Sequence, residues 1–210
     1  MAPTYDPTVF HVASEPEAKA IILTPEAGMS TEERWVRETT DVVKRISSSL
    51  ASIPEPRLLD WGCGIGRLAR PLCHDHGFKV TGVDLSADMR RLAVGYVNHP
   101  AFEVMSPATF TDGLAKFAQA YDAALAAWVL QHIPKIEQVC RTLARALKPG
   151  GHLFLLNRVE RLIPVVGGWI SDGKDVAAAL RASGFTLEVE ESLGLPLYAE
   201  GSIWSIWRAA

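Results

Sequence analysis

The run Leu58-Leu59-Asp60-Trp61-Gly62-Cys63-Gly64-Ile65-Gly66-Arg67-Leu68-Ala69 decides how this chain folds. With Arg57 ahead of it, it opens as a short apolar strand, Arg57–Trp61, closing on the acid Asp60. Glycines spaced G-x-G-x-G follow, and glycine accepts positive φ and lets a ligand approach the backbone closely. A helix is expected over Ile65–His76, offering unpaired N–H groups at its start. Pro71 lies inside it, removes one backbone hydrogen bond and is expected to bend it. A dinucleotide fingerprint would read G-x-G-x-x-G and seat a pyrophosphate. Here the third glycine comes one residue early and the strand ends in a carboxylate, which disfavours a phosphate and favours an ammonium. Taken alone, the loop also reads as a tight strand–helix turn with no ligand.

The flanking chain repeats this alternation. Lys79–Asp84 reads as a second strand, and Ser86 caps a helix reaching about Val97. Ala101–Met105 and the nearly all-apolar Tyr121–Ala127 are the third and fourth strands. Pro134–Leu147 is a helix with Ile136, Val139, Leu143 and Leu147 on one face, and Pro149-Gly150-Gly151 turns it into strand His152–Leu156. Continuous apolar strands between amphipathic helices predict a parallel sheet covered on both faces. Phe185–Glu191 and Ser202–Trp207 have no helix between them and must pair antiparallel. The fold class is therefore α/β, a Rossmann-like doubly wound sheet, mostly parallel with an antiparallel C-terminal strand. Trp204 and Trp207 fall on opposite faces of that last strand, and both are expected in the core.

One domain is expected over 1–210. Residues 1–29 read as an irregular arm or cap without its own core, 30–53 as a leading helix with a Ser30/Glu33 capping box, and 57–210 as the catalytic core. A domain of this size buries roughly 70% of its unfolded surface and needs no disulfide or metal staple. Lys and Arg number 21 against 24 Asp and Glu, so no strong basic field exists to hold a nucleic acid. The cysteines Cys63, Cys73 and Cys140 form no C-x-x-C pair and read as reduced thiols. No basic-then-apolar leader or membrane-length apolar run is present, which predicts a cytoplasmic protein, a monomer or homodimer.

The second strand ends in Val83-Asp84-Leu85-Ser86. An acid about 20 residues past the loop suits the hydroxyl pair of a ribose. Asp84 also reads as a cap of the next helix, but Ser86 is already placed for that. Loop and Asp84 together point to a nucleoside carrying a cation.

At this point the sequence resembles the class I S-adenosylmethionine-dependent methyltransferases. LLDWGCGIGRLA, VTGVDLSADM, YDAALAAWVLQHI and LKPGGHLFLL match that family's signatures in order, from about Arg57 to Leu156. The resemblance implies S-adenosyl-L-methionine as cofactor. It implies that Asp60, Gly62, Cys63, Gly64 and Gly66 surround the methionine part and that Asp84 holds the ribose. Leu85 and Met89 would then pack near the adenine. Many members carry an acid after the third strand; this chain has Ser106-Pro107-Ala108 there, so the adenine is left to backbone and apolar contacts, or to Ser106. Trp128 reads equally as a stacking surface at the cofactor or a core residue. His132 is a candidate general base, or a structural histidine bonded to backbone.

Residues 157–171 occupy the place of acceptor specificity at the strand ends. Asn157, Arg158 and Arg161 could meet an acidic or hydroxylated acceptor, or be solvated charges. Trp169 beside Gly167-Gly168 suggests a flap with an aromatic tip. No N-P-P-Y-type tetrapeptide and no cysteine follow the fourth strand, which leaves a small-molecule acceptor at O or N. An RNA or protein methyltransferase, or a non-catalytic S-adenosylmethionine-binding protein, is the alternative.

Overall fold

Leu58 and Leu59 point to opposite sides of one strand and both are fully buried. That strand must therefore have layers on both faces, as a period of two requires. The computed structural model describes residues 3–26 and 28–210. In chain order its elements are α1 (Glu15–Ile22), α2 (Thr31–Ser49), β1 (Arg57–Trp61), α3 (Ala69–His76), β2 (Lys79–Val83), α4 (Ala87–Val97) and β3 (Phe102–Met105). There follow the short α5 (Pro107–Asp112) and α6 (Leu114–Phe117), β4 (Tyr121–Ala127), α7 (Ile136–Ala146) and β5 (Leu147–Arg158). The chain continues through β6 (Ile163–Val165), β7 (Gly168–Ile170), α8 (Val176–Ala182), β8 (Phe185–Leu193) and β9 (Ser202–Ala209).

The main sheet runs β3-β2-β1-β4-β5-β9-β8. Pairing is parallel from β3 through β5, while β9 lies antiparallel to both β5 and β8. This is the fold class expected from the sequence. Leu59, Trp61 and Trp207 pack on the α7 and α8 side, while Leu58, Phe154 and Trp204 pack on the α2, α3 and α4 side. The two tryptophans of β9 thus serve separate cores, as alternation predicts.

Three expectations need correction. Helix α3 starts at Ala69, not Ile65, because Gly66 takes φ +82, a left-handed conformation that no helix can contain. Pro71 consequently falls in the first turn, where a missing N–H breaks no intrahelical bond, so it imposes no bend. Strand β5 is longer than His152–Leu156; its register with β4 shifts around Asp122, where residues 148–151 bulge out.

The arm is also more ordered than its prolines suggest. Ser14 caps α1, with Pro16 in the first turn, where its fixed φ suits a helix start. Val12, Ala18 and Leu23 are buried with Trp35, Ile65 and Met89 in a third small core. Met1, Ala2 and Ala27 of the expected arm lie outside the described residues.

Candidate functional site

The glycine loop sits at the carboxyl ends of β1 and β2. Gly62 and Cys63 both donate their N–H to the Val83 carbonyl, at 2.6 and 3.2 Å, which folds the loop over the end of β2. Asp84 then bridges two elements: Oδ2 accepts from Gly64 N (2.8 Å) and Oδ1 from Ser86 N (2.9 Å). Ser86 itself caps α4 by accepting from Met89 N. Asp84 N donates to the Met105 carbonyl (3.2 Å), which brings Ser106, Pro107 and Ala108 beside it. Ser106 is spent as the cap of α5, accepting from Thr109 N. Pro107 is half-buried and Ala108 exposed; Leu85 is exposed, and Met89 is buried in the third core.

Asp60 is buried at the end of β1, and burial pushes its carboxyl up to about 7, with Arg67 opposing and the Asp84 charge adding to the rise. Burial also raises the Asp84 carboxyl, against the two N–H groups that it accepts. Among the described residues neither carboxylate forms a salt bridge. The buried Asp60 and the half-buried Asp84, both without ion-pair partners among the described residues, favour a ligand that brings positive charge and hydroxyl donors. The residues present therefore fit S-adenosylmethionine, with its ammonium, sulfonium and ribose. Burial raises the Cys63 thiol well above its ordinary value, which favours the protonated thiol.

The arm closes on this loop. A Cβ on Gly64 would lie 2.6 Å from Ile22 Cδ1 of α1, so the isoleucine rests on the glycine itself. Burial raises the Tyr5 phenol, and the Asp84 charge adds to the rise.

Past β4, His132 has both ring nitrogens engaged. Nδ1 lies 2.6 Å from the Leu162 carbonyl and Nε2 lies 3.0 Å from Gln131 Nε2. Gln131 Oε1 accepts from Arg158 N (2.6 Å), which fixes the amide orientation. Nδ1 therefore carries the proton and Nε2 the lone pair. Burial lowers the His132 pKa, with the Leu162 carbonyl opposing. Trp169 and Phe10 lie against its ring, with centroids at 5.3 and 6.2 Å.

Trp128 takes φ +61 and donates its indole N–H to Glu38 Oε1 (2.6 Å). Glu38 is fully buried and also accepts from Arg34 (3.0 Å) and Arg67 (3.1 Å). Arg158 and Arg161 are likewise committed internally. Arg158 pairs with Glu26 (2.9 Å), and the buried Arg161 pairs with Asp172 (2.8 Å) and donates to the Leu130 and Ile133 carbonyls. Asn157 Oδ1 accepts from Gln131 N. Glu38, Gln131, Phe10 and Ile22 were not evident as site residues in the sequence. Only the Arg34–Glu38 spacing of four carried a local signal.

A parallel sheet whose first loop is a glycine run, with a carboxylate at the end of each of two adjacent strands, defines a nucleoside-binding fold of the methyltransferase class. A family profile described as "Methyltransferase domain" matches residues 31–160, and the chain belongs to that family, whose methyl donor is S-adenosylmethionine. It is 36% identical over 109 residues to a ubiquinone biosynthesis O-methyltransferase of Caulobacter vibrioides, covering 50% of this chain and 43% of that one. The chain thus spans less than half the length of the curated relatives it matches. An S-adenosylmethionine-dependent methyltransferase from Mesorhizobium loti superposes with a TM-score of 0.59 at 20% identity, covering 79% of this chain and 96% of that one. The [4+2]-cyclase SpnF does so with a TM-score of 0.65 at 19% identity, covering 90% and 86%. These structural likenesses concern the fold; the same fold carries different chemistries. Among the described residues no helix is long and apolar enough to cross a membrane.

Proposed function

We propose that this chain methylates a small-molecule acceptor at oxygen or nitrogen, with S-adenosylmethionine as donor. The observation that carries the reading is the pair Asp60 and Asp84 around the Gly62–Gly66 loop, one buried and one half-buried carboxylate suited to a cationic nucleoside. The O-methyltransferase names of the curated relatives favour oxygen.

Asp84 would hold the ribose hydroxyls. Asp60, Gly62, Cys63, Gly64 and Gly66 would face the methionine part, with Leu85, Met89, Pro107 and Ala108 toward the adenine and Trp128 as a wall. When bound, the cofactor supplies a methyl group already activated by its sulfonium. The chain's own task is then to align the acceptor and exclude water. His132 Nε2 holds the lone pair that can take a hydroxyl proton, once Gln131 releases that nitrogen.

The internal bonds of both His132 nitrogens favour a second reading, in which the ring is structural and alignment alone drives the reaction. Calorimetry with S-adenosylhomocysteine and with NAD tests the foundation: heat with NAD alone would sink it. Incubation with methyl-labelled cofactor and cell extract then sorts acceptors, and label in RNA or protein would overturn the small-molecule assignment.

A further inference from the structure

We propose that Phe10 and Trp169 contact the acceptor and set its specificity, and that they select a flat, uncharged ring. The inference rests on the methyl-transfer reading above. Both side chains belong to segments outside the main sheet, and both rings meet His132. Trp169 stands on the two-stranded β6–β7 hairpin, an element too small to need a tryptophan for a core of its own. It remains 47% exposed, and Val166 at the hairpin turn is 71% exposed. A large aromatic kept at the surface beside an apolar tip marks a contact surface.

The two segments act as one lid. Asp6 N donates to the Pro164 carbonyl and Val166 N to the Thr4 carbonyl, both at 3.0 Å, so the arm adds an extended segment to the hairpin. Phe10 closes the 3₁₀ turn that follows on the same arm. Further along, α1 rests Ile22 on Gly64. One piece of chain therefore touches both the cofactor loop and the face above His132.

Charge supports an uncharged acceptor. The arginines near this region are each engaged in an internal ion pair: Arg158 and Arg34 with Glu26, Arg161 with Asp172, and Arg34 and Arg67 with Glu38. What faces the acceptor is aromatic, and flat rings stack against or edge onto such groups.

The test is calorimetry on the full chain saturated with S-adenosylhomocysteine, titrated with catechol, with its ring-carboxylated derivative and with vicinal cyclohexanediol. Catechol should bind, and the other two should bind more weakly by about fivefold or more. Trp169→Ala and Phe10→Ala should each weaken catechol binding by about threefold to tenfold, with Trp169→Phe recovering most of the loss. S-adenosylhomocysteine affinity should stay within about twofold in every variant, a ratio worth less than 0.5 kcal/mol. Equal binding of catechol and cyclohexanediol, no catechol binding, or indifference to both alanine variants would overturn the inference. Failure of the wild type to bind S-adenosylhomocysteine would instead bring down the methyl-transfer reading, and this inference with it.

Discussion

Glu38→Ala is the substitution whose cost follows most directly from the geometry. The wild-type carboxylate is fully buried and accepts from Arg34 (3.0 Å), Arg67 (3.1 Å) and the Trp128 indole (2.6 Å). Removing it leaves Arg67 without a carboxylate and Arg34 with Glu26 alone, two guanidinium groups whose side chains are each only 4% exposed. Breaking a buried charge network in this way costs about 3–5 kcal/mol. For a domain of this length that lowers Tm by roughly 6–20 °C. Glu38→Gln keeps an acceptor oxygen and should cost about 1.5–3 kcal/mol, the worth of hydrogen bonds to charged groups. The double variant Glu38→Ala with Arg67→Met should melt above Glu38→Ala alone, because the cation left without a carboxylate is gone. Urea titration followed by circular dichroism measures all three. A loss below about 1 kcal/mol for Glu38→Ala, smaller than one ordinary buried network bond, would refute the argument.

Asp84→Ala should weaken S-adenosylhomocysteine by about 1.5–3 kcal/mol, roughly tenfold or more, in calorimetry; wild-type affinity would end the ribose assignment. Cofactor affinity should fall as pH drops through about 7, where Asp60 gains its proton, and Asp60→Asn should flatten that profile. The same raised pKa means that Asp60 contributes stability fully present below its ordinary value of 3.8 and lost as pH rises through about 7. His132 has the opposite sign: its pKa is lowered, so its contribution is present above its ordinary value of 6.5 and lost as pH falls. If the ring is a base, His132→Gln should cut turnover by about 10²–10⁴-fold with cofactor affinity nearly unchanged. If it is structural, that variant should mainly lower the melting temperature.

The elements legible in the sequence are those with local signals. Apolar alternation in β1, the glycine loop and the acid closing the next strand each sit within a few residues, and all lie where they were expected. Boundaries failed where backbone conformation overrode pattern, as at Gly66, whose left-handed φ delays α3 by four residues past Ile65. Helix α1 was hidden because Pro16 reads as a break until its first-turn position is known. The roles of Arg158 and Arg161 were open because a charge's partner is a non-local fact. Glu26 lies 132 positions from Arg158, and Glu38 lies 90 from Trp128. No periodicity reports such distances.

Strand β9 has a further consequence for how the chain is made. It is synthesised after every other strand of this sheet, yet it takes an interior place between β5 and β8. While the ribosome still holds residues 202–209, the emerging protein can assemble β3 through β5 but carries an open sheet edge along β5. Trp204 and Trp207 are then missing from the cores they fill. Such an edge invites pairing with another nascent copy. Completion of the fold is thus a late, long-range event, and premature stops ahead of Ser202 should yield aggregating products instead of a smaller working domain.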